Sequence, residues 1–239
     1  MNKKYLKILR TISLSDLPLI FLKKNLAHIT SLINGEITYI NQSQKKKAIK
    51  LIKHIKTENE MLLENIEAYQ IYSTVKATAK IKGDIAEAGV YQGGSAKLIC
   101  QTKGNKNLHL FDTFKGLPSI SAKDNSNQFH QSQFTANLKT VKNYLKKYDN
   151  VHFYPGIFPL SAKIGKNIKF SFVHLDLDIF KSTRDALHFF YPRMTPGGII
   201  ISHDYQNAPG VRKAFDNFFQ NKPEAIVKLN NSQCLIVKL

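Results

Sequence analysis

The chain has 239 residues, 43% apolar and 22% charged, enough for one generous domain or for one domain with an added helical arm. This composition excludes a disordered tail, a collagen-like fibre and a disulfide-stapled miniprotein. No apolar run approaches the ~20 residues that a membrane-spanning helix needs. The formal net charge is +18, from 35 basic and 17 acidic residues, which raises the question of an anionic partner. The basic residues are 31 Lys and only 4 Arg, and apart from Lys45, Lys46, Lys47, Lys50, Lys53 and Lys56 the lysines are scattered. Surfaces that read bases and clamp phosphates favour the forked donors of Arg, so no nucleic-acid partner is expected.

The two cysteines, Cys100 and Cys234, sit among apolar neighbours and read as buried thiols in a reducing compartment. The first residues carry lysines, but Ser13, Ser15 and Asp16 break the apolar stretch and no small-residue cleavage site follows. The protein is therefore read as cytoplasmic, with a weakly amphipathic N-terminal arm lying on a membrane as the alternative.

In chain order, residues 1–80 read as an N-terminal helical extension. Met61-Leu62-Leu63, Ile66, Tyr69, Ile71 and Val75 recur there at helix spacing. Residues 81–239 read as a second, α/β domain. Strands are expected at 84–90, 108–111, 151–154, 170–175 and 198–202, and helices at 95–101, 135–147, 182–191 and 211–219. Runs such as Phe172-Val173 and Ile199-Ile200-Ile201 lack alternation and fit strands covered on both faces. Strand–helix alternation predicts a doubly wound, mostly parallel sheet. At the C-terminus, 225–229 and 234–239 flank Asn230-Asn231-Ser232-Gln233, a hairpin signal. A parallel sheet closed by an antiparallel hairpin is the outline of a Rossmann-like, seven-stranded methyltransferase.

Two stretches carry chemistry. The first expected strand runs into Glu87, Gly89, Val90, Tyr91, Gln92, Gly93, Gly94 and Ser95. Glycines at a strand-to-helix turn permit positive φ and close ligand approach, and free N–H groups at the helix start favour a polar ligand end. The next expected strand ends in Asp112, where an acid can bond a ribose diol; Asp112 also fits a turn cap before Thr113. The spacing of Gly89 and Gly93 departs from the GxGxxG of pyrophosphate cofactors and suits a ligand without phosphates, such as S-adenosylmethionine.

The second stretch lies at the ends of the fourth and fifth expected strands. Asp176 and Asp178 follow one, and His203 and Asp204 follow the other. Open α/β sheets bind ligands at that edge, and carboxylates converging there need a cation such as Mg²⁺ or Ca²⁺. His174, mid-strand, reads as a hydrogen-bonded core residue, and Asp178 also fits a cap for the helix near Ser182. Residues 113–135, long and polar at the ligand edge, read as a mobile lid.

With these residues in view, the sequence resembles the macrocin O-methyltransferase family, class I enzymes that use S-adenosylmethionine and Mg²⁺ to methylate sugar hydroxyls of natural products. The matching segments are DIAEAGVYQGGS at 84–95, FDTFKGLP at 111–118, GIF at 156–158, DLDIFKSTRDAL at 176–187, YPRMTPGG at 191–198 and HDY at 203–205. The resemblance covers roughly residues 60–220 and does not extend to residues 1–55. It implies a cofactor site of Glu87, Gly89, Tyr91, Gly93, Gly94, Ser95, Asp112, Thr113, Gly156 and Phe158. Gly89, Tyr91, Gly93 and Ser95 would line the methionine end, Asp112 would hold the ribose, and 156–158 would border the adenine. Asp176, His203 and Asp204 would form the metal site, for Mg²⁺ or another divalent cation.

Two positions depart from the family pattern. His203 stands where the family often has the first of two Asp, and an imidazole is a poor match for Mg²⁺. Lys181 stands where the family commonly has an acid. The Asp176-to-Asp204 spacing of 28 fits the family's metal pair better than the 26 from Asp178. Asp178 is therefore assigned as catalytic base, with Lys181 as the second candidate. The implied function is O-methyl transfer to a hydroxyl of a sugar or other small molecule. A repurposed, non-catalytic S-adenosylmethionine-binding domain is the alternative, and a homodimer is left open.

Overall fold

The computed structural model describes residues 43–239, so the expectations placed on residues 1–42 lie outside the described residues. By its internal contacts the chain divides into residues 1–50 and 51–239. Two helices, α1 (Ser43–Glu58) and α2 (Asn65–Ala77), precede the sheet. Met61-Leu62-Leu63 was expected to continue a helix and instead lies in the loop between them. The break has a local cause. Glu64 is the N-cap of α2, and Glu67 bonds back to the Glu64 N–H at 2.8 Å, closing a capping box that starts a new helix at Asn65.

The remaining elements alternate as expected: β1 (Asp84–Ala88), α3 (Gly94–Cys100), β2 (Leu108–Asp112), α4 (Leu138–Leu145), β3 (Val151–Pro155), β4 (Phe170–Leu175), α5 (Phe180–Phe190), β5 (Met194–Ser202), α6 (Pro209–Phe219), β6 (Val227–Lys228) and β7 (Cys234–Val237). The seven strands form one sheet in the order β3-β2-β1-β4-β5-β7-β6. All pairings from β3 through β5 are parallel, whereas β7 runs antiparallel to both β5 and β6. This is the class I Rossmann-like methyltransferase fold, with its C-terminal hairpin. The hairpin is shorter than its apolar runs suggested, because Val227 is exposed and β6 keeps only two residues.

The central strands are buried on both faces. Ile85, Ala86 and Ala88 of β1 and Phe172, Val173 and Leu175 of β4 are each at most 1% exposed, which is why their sequences show no alternation. One side of the sheet is packed with rings: Phe190 of α5 stacks on Phe158 at 5.1 Å and meets Phe111 and Phe170 edge-on. Because β1, β2, β4 and β5 run parallel, their carboxyl ends share one edge, which gathers the turn after Ala88, Asp112, Asp176 and His203-Asp204.

Gly89 draws two of these tips together. It has φ +89°, and a Cβ there would lie 1.7 Å from the Asp176 carbonyl oxygen. Any side chain at 89 would push the β1 turn off the tip of β4. The buried pair beneath is His174 Nδ1 to Glu87 Oε1 at 2.8 Å, so His174 is the hydrogen-bonded core residue that its position suggested.

Candidate active site: a glycine turn and an Asp–His–Asp cluster in one cavity

A cavity of about 320 Å³ opens at that sheet edge, within the size range of small-molecule sites. Gly89, Tyr91, Gly94, Ser95, Asp112, Thr113, Gly156 and Phe158 line it, together with Asp176, Asp178, His203 and Asp204. The two stretches singled out in the sequence thus share one space. Gly93 supplies the left-handed N-cap of α3, with φ +85°. Glu87 lies beneath the turn, fully buried; burial raises its carboxyl's pKa against the pull of His174.

Asp112 does more than its place suggested. Its Oδ2 accepts the N–H of Val90 at 2.7 Å and of Tyr91 at 2.8 Å, and its Oδ1 accepts the N–H of Phe114 at 2.6 Å. A carboxylate has about four acceptor sites, so these bonds leave room for roughly one further donor. Tyr91 (φ 48°), Phe134 (62°), Asp178 (62°) and Asp204 (59°) hold left-handed backbone around the cavity, where non-glycine residues concentrate when a site fixes them.

Asp176 Oδ1 and Asp204 Oδ1 each lie 3.2 Å from His203 Nδ1. One ligand atom from each of the three residues falls within 4.8 Å of the others. His203 Nδ1 is buried and forms no hydrogen bond despite those distances. Two ligands set at right angles about 2.1 Å from an ion lie roughly 3 Å apart, so this orphaned nitrogen between two carboxylates fits a divalent cation.

The cluster's titration follows its crowding. Burial raises the Asp178 carboxyl's pKa well above the ordinary range, and Asp176 and Asp204 add to it. The Asp176 carboxyl is displaced down: burial opposes ionisation, but the charge of the neighbouring His203 prevails. His203 is displaced far up: burial favours the neutral ring, but Asp176, Asp204 and Glu67 outweigh it.

Lys181 stands apart from these residues. Its ammonium lies 2.9 Å from Asp185 on the exposed side of α5, and it does not line the cavity. Asp178 does not cap α5 either. The Phe180 N–H donates to Oδ1 of Asp124 at 2.6 Å, so the cap comes from the 113–135 segment. That segment walls the cavity with Leu117, Phe129 and Phe134, and Phe129 is buried.

Sequence reasoning missed one whole wall. Glu60, Met61, Leu62 and Leu63 line the cavity, and Glu60 Oε2 accepts the Tyr91 hydroxyl at 2.7 Å. The Glu64-x-x-Glu67 box was the available signal that the chain breaks there. Glu67, which reaches His203 Nε2 at 3.3 Å, was also missed.

The profile of the macrocin-O-methyltransferase (TylF) family matches residues 61–231. The chain belongs to that family. It is 29% identical over 140 residues to an 8-demethyl-8-(2,3-dimethoxy-alpha-L-rhamnosyl)-tetracenomycin-C 4'-O-methyltransferase of Streptomyces olivaceus, covering 52% of this chain and 54% of that protein. It is 28% identical over 155 residues to mycinamicin III 3''-O-methyltransferase of Micromonospora griseorubida, covering 58% and 61%. The chain thus spans little more than half the length of the curated relatives it matches. Among solved structures, the O-methyltransferase NovP superposes with a TM-score of 0.68 at 20% identity, covering 82% of this chain and 98% of that one. The calicheamicin methyltransferase CalS11 gives 0.62 at 15%, covering 83% and 94%. At these identities the structural matches speak to the fold, which they share with this family member.

Proposed function

We propose that this macrocin-O-methyltransferase family member is an S-adenosylmethionine-dependent O-methyltransferase acting on a hydroxyl of a sugar or other small molecule, with a divalent cation at Asp176, His203 and Asp204. The observation that carries this reading is the joining of the glycine turn and the Asp–His–Asp cluster in one cavity. Two relatives support the acceptor class, one named for 4'-O-methylation of a rhamnosyl-bearing tetracenomycin and one for 3''-O-methylation of mycinamicin III.

Bound there, S-adenosylmethionine would supply an already activated methyl group, and a divalent cation would lower the pKa of a neighbouring hydroxyl. The chain's own residues position and deprotonate. Gly89, Tyr91, Gly94 and Ser95 enclose the methionine end. Asp112 holds the turn through Val90 and Tyr91 and offers its remaining acceptor site to a ribose hydroxyl. Phe158 and Gly156 border the adenine. The Asp178 carboxyl, which lines the cavity with Asp176 and Asp204, takes the proton from the acceptor hydroxyl. Leu117, Phe129 and Phe134 exclude water and help align acceptor oxygen, methyl carbon and sulfur.

The catalytic domain in this reading takes residues 51–239, more than the 81–239 expected, because Glu60 to Leu63 wall the cavity. Two buried free thiols, Cys100 (pushed up to about 12 by burial) and Cys234, support a cytoplasmic setting. No helix among the described residues is long and apolar enough to cross a membrane.

The test is transfer of a labelled methyl group from S-adenosylmethionine to a panel of glycosides with free hydroxyls, with added divalent metal and with chelator. Transfer that chelator abolishes and metal restores supports the reading. Transfer that persists in excess chelator removes the metal from it. Cofactor binding without transfer to any acceptor favours a non-catalytic S-adenosylmethionine-binding domain.

A further inference from the structure

His203 is where this chain departs from an all-oxygen metal site, and the structure shows what holds it. Glu67, in the first turn of α2, is 3% exposed, and its Oε2 lies 3.3 Å from His203 Nε2. Every other bond of that carboxylate fixes it in place. Oε2 accepts the Glu64 N–H at 2.8 Å, and Oε1 accepts the Ser232 N–H at 3.1 Å and the Ser232 hydroxyl at 2.7 Å. Two otherwise separate pieces of chain, the start of α2 and the turn before β7, therefore clamp one carboxylate against the imidazole.

The consequence is a choice of tautomer. An imidazole that donates its Nε2–H to a carboxylate presents a lone pair at Nδ1. Nδ1 is the atom that lies 3.2 Å from both Asp176 and Asp204, buried and without a hydrogen bond. Carboxylate, histidine and metal in series are the usual arrangement of a histidine ligand, in which the outer carboxylate orients the ring and raises its basicity.

We propose that Glu67 is the positioning residue that makes His203 a nitrogen ligand, and that the resulting Asp–His–Asp site selects a divalent first-row transition ion over Mg²⁺. This rests on the metal reading given above and deepens it by naming the class of ion. Mg²⁺ prefers an octahedron of oxygens, whereas imidazole suits the transition ions, whose affinity rises from Mn²⁺ through Co²⁺. The alternative occupant is a proton at Nδ1, which would make His203 a fixed imidazolium between three carboxylates and close the site to metal.

Calorimetric titration of the full chain with Mn²⁺, Co²⁺ and Mg²⁺ separates these cases, with ¹⁴N modulation of the Mn²⁺ electron spin echo as a direct sign of imidazole ligation. The wild type is expected to bind Mn²⁺ and Co²⁺ more tightly than Mg²⁺ and to show nitrogen modulation. His203→Asp should lose the modulation and lower the Co²⁺-to-Mg²⁺ affinity ratio at least tenfold. Glu67→Gln should weaken Co²⁺ binding roughly 10–100-fold, the usual cost of losing an outer-shell partner. Its Mg²⁺ affinity should change less, an asymmetry that general loosening of α2 would not produce. Metal binding without nitrogen modulation, or a ratio unmoved by His203→Asp, would overturn the Glu67–His203 proposal while leaving the metal reading intact. No binding of any divalent ion to the wild type would overturn both.

Discussion

The Asp112 carboxylate accepts the Tyr91 backbone N–H at 2.8 Å, tying the end of β2 to the glycine turn that follows β1. The same oxygen holds Val90, and the other holds Phe114. Asp112 is thus a brace for the turn as well as the acid proposed for the ribose. The two duties separate by mutation. Asp112→Ala leaves three backbone N–H groups near the cavity without their acceptor, at a cost of about 1–3 kcal/mol for each that stays unsatisfied. It should lower the melting temperature and weaken S-adenosylhomocysteine binding by more than tenfold. Asp112→Asn keeps one acceptor oxygen, so it should recover part of the stability and less of the binding. Calorimetry and thermal denaturation of both variants check this.

Asp124 anchors the 113–135 segment over the cavity. Its Oδ1 caps α5 through the Phe180 N–H, and its Oδ2 accepts from the Ser121 N–H and hydroxyl. Gly210 at the start of α6 leaves room for that carboxylate, since a Cβ there would lie 2.1 Å from Oδ1. Asp124→Ala should cost about 1 kcal/mol of stability, as losing a helix cap does. Limited proteolysis should then cut within 113–135 faster than in the wild type. Added S-adenosylhomocysteine should slow cleavage in both if the segment covers the cofactor. Equal cleavage rates in variant and wild type would deny the anchor.

The assignment of the base predicts an asymmetry between two residues three positions apart. Asp178 lines the cavity, and Lys181 pairs with Asp185 in solvent. Asp178→Asn should lower kcat by about 10²-fold or more, the range of general-base catalysis. Lys181→Ala should leave kcat within about twofold, because an exposed ion pair contributes only about 0–1 kcal/mol to stability and nothing to the cavity. Steady-state kinetics on any accepted glycoside decides between them.

Glu224 gives the fold an acid-sensitive tie far from the site. Both of its oxygens accept the Tyr191 hydroxyl at 2.9 Å, and Lys238 Nζ lies 2.6 Å from Oε1. Burial pushes the carboxyl up, but the bonds from Lys238 and Tyr191 outweigh it and hold it below its ordinary 4.5. A carboxyl lowered on folding contributes stability above its unfolded value and loses it as pH falls through the folded value. Glu224→Gln should therefore destabilise most at neutral pH, and the gap to wild type should narrow below about pH 4.5 in urea unfolding series.

The sheet was legible in the sequence because its central strands are buried on both faces. Phe172-Val173 and Ile199-Ile200-Ile201 could be little else between helical stretches, and the glycines and acids that follow them fell at one edge as expected. What could not be read is set by long-range contacts. Met61-Leu62-Leu63 has helical spacing, but the Glu64–Glu67 box ends the pattern and turns those residues toward the cavity. Asp178, assigned as the base, also fitted a helix cap in the sequence, and Asp124, 54 positions earlier, holds that role. The link from Glu67 to His203 spans 136 positions and has no local signature at all.

The most direct test of the central claim is calorimetric titration of the protein with S-adenosylhomocysteine, in metal and in chelator. The cavity described here predicts saturable one-to-one binding that survives chelation and falls sharply in Asp112→Ala. Absence of binding to the folded wild-type protein at millimolar ligand would contradict it.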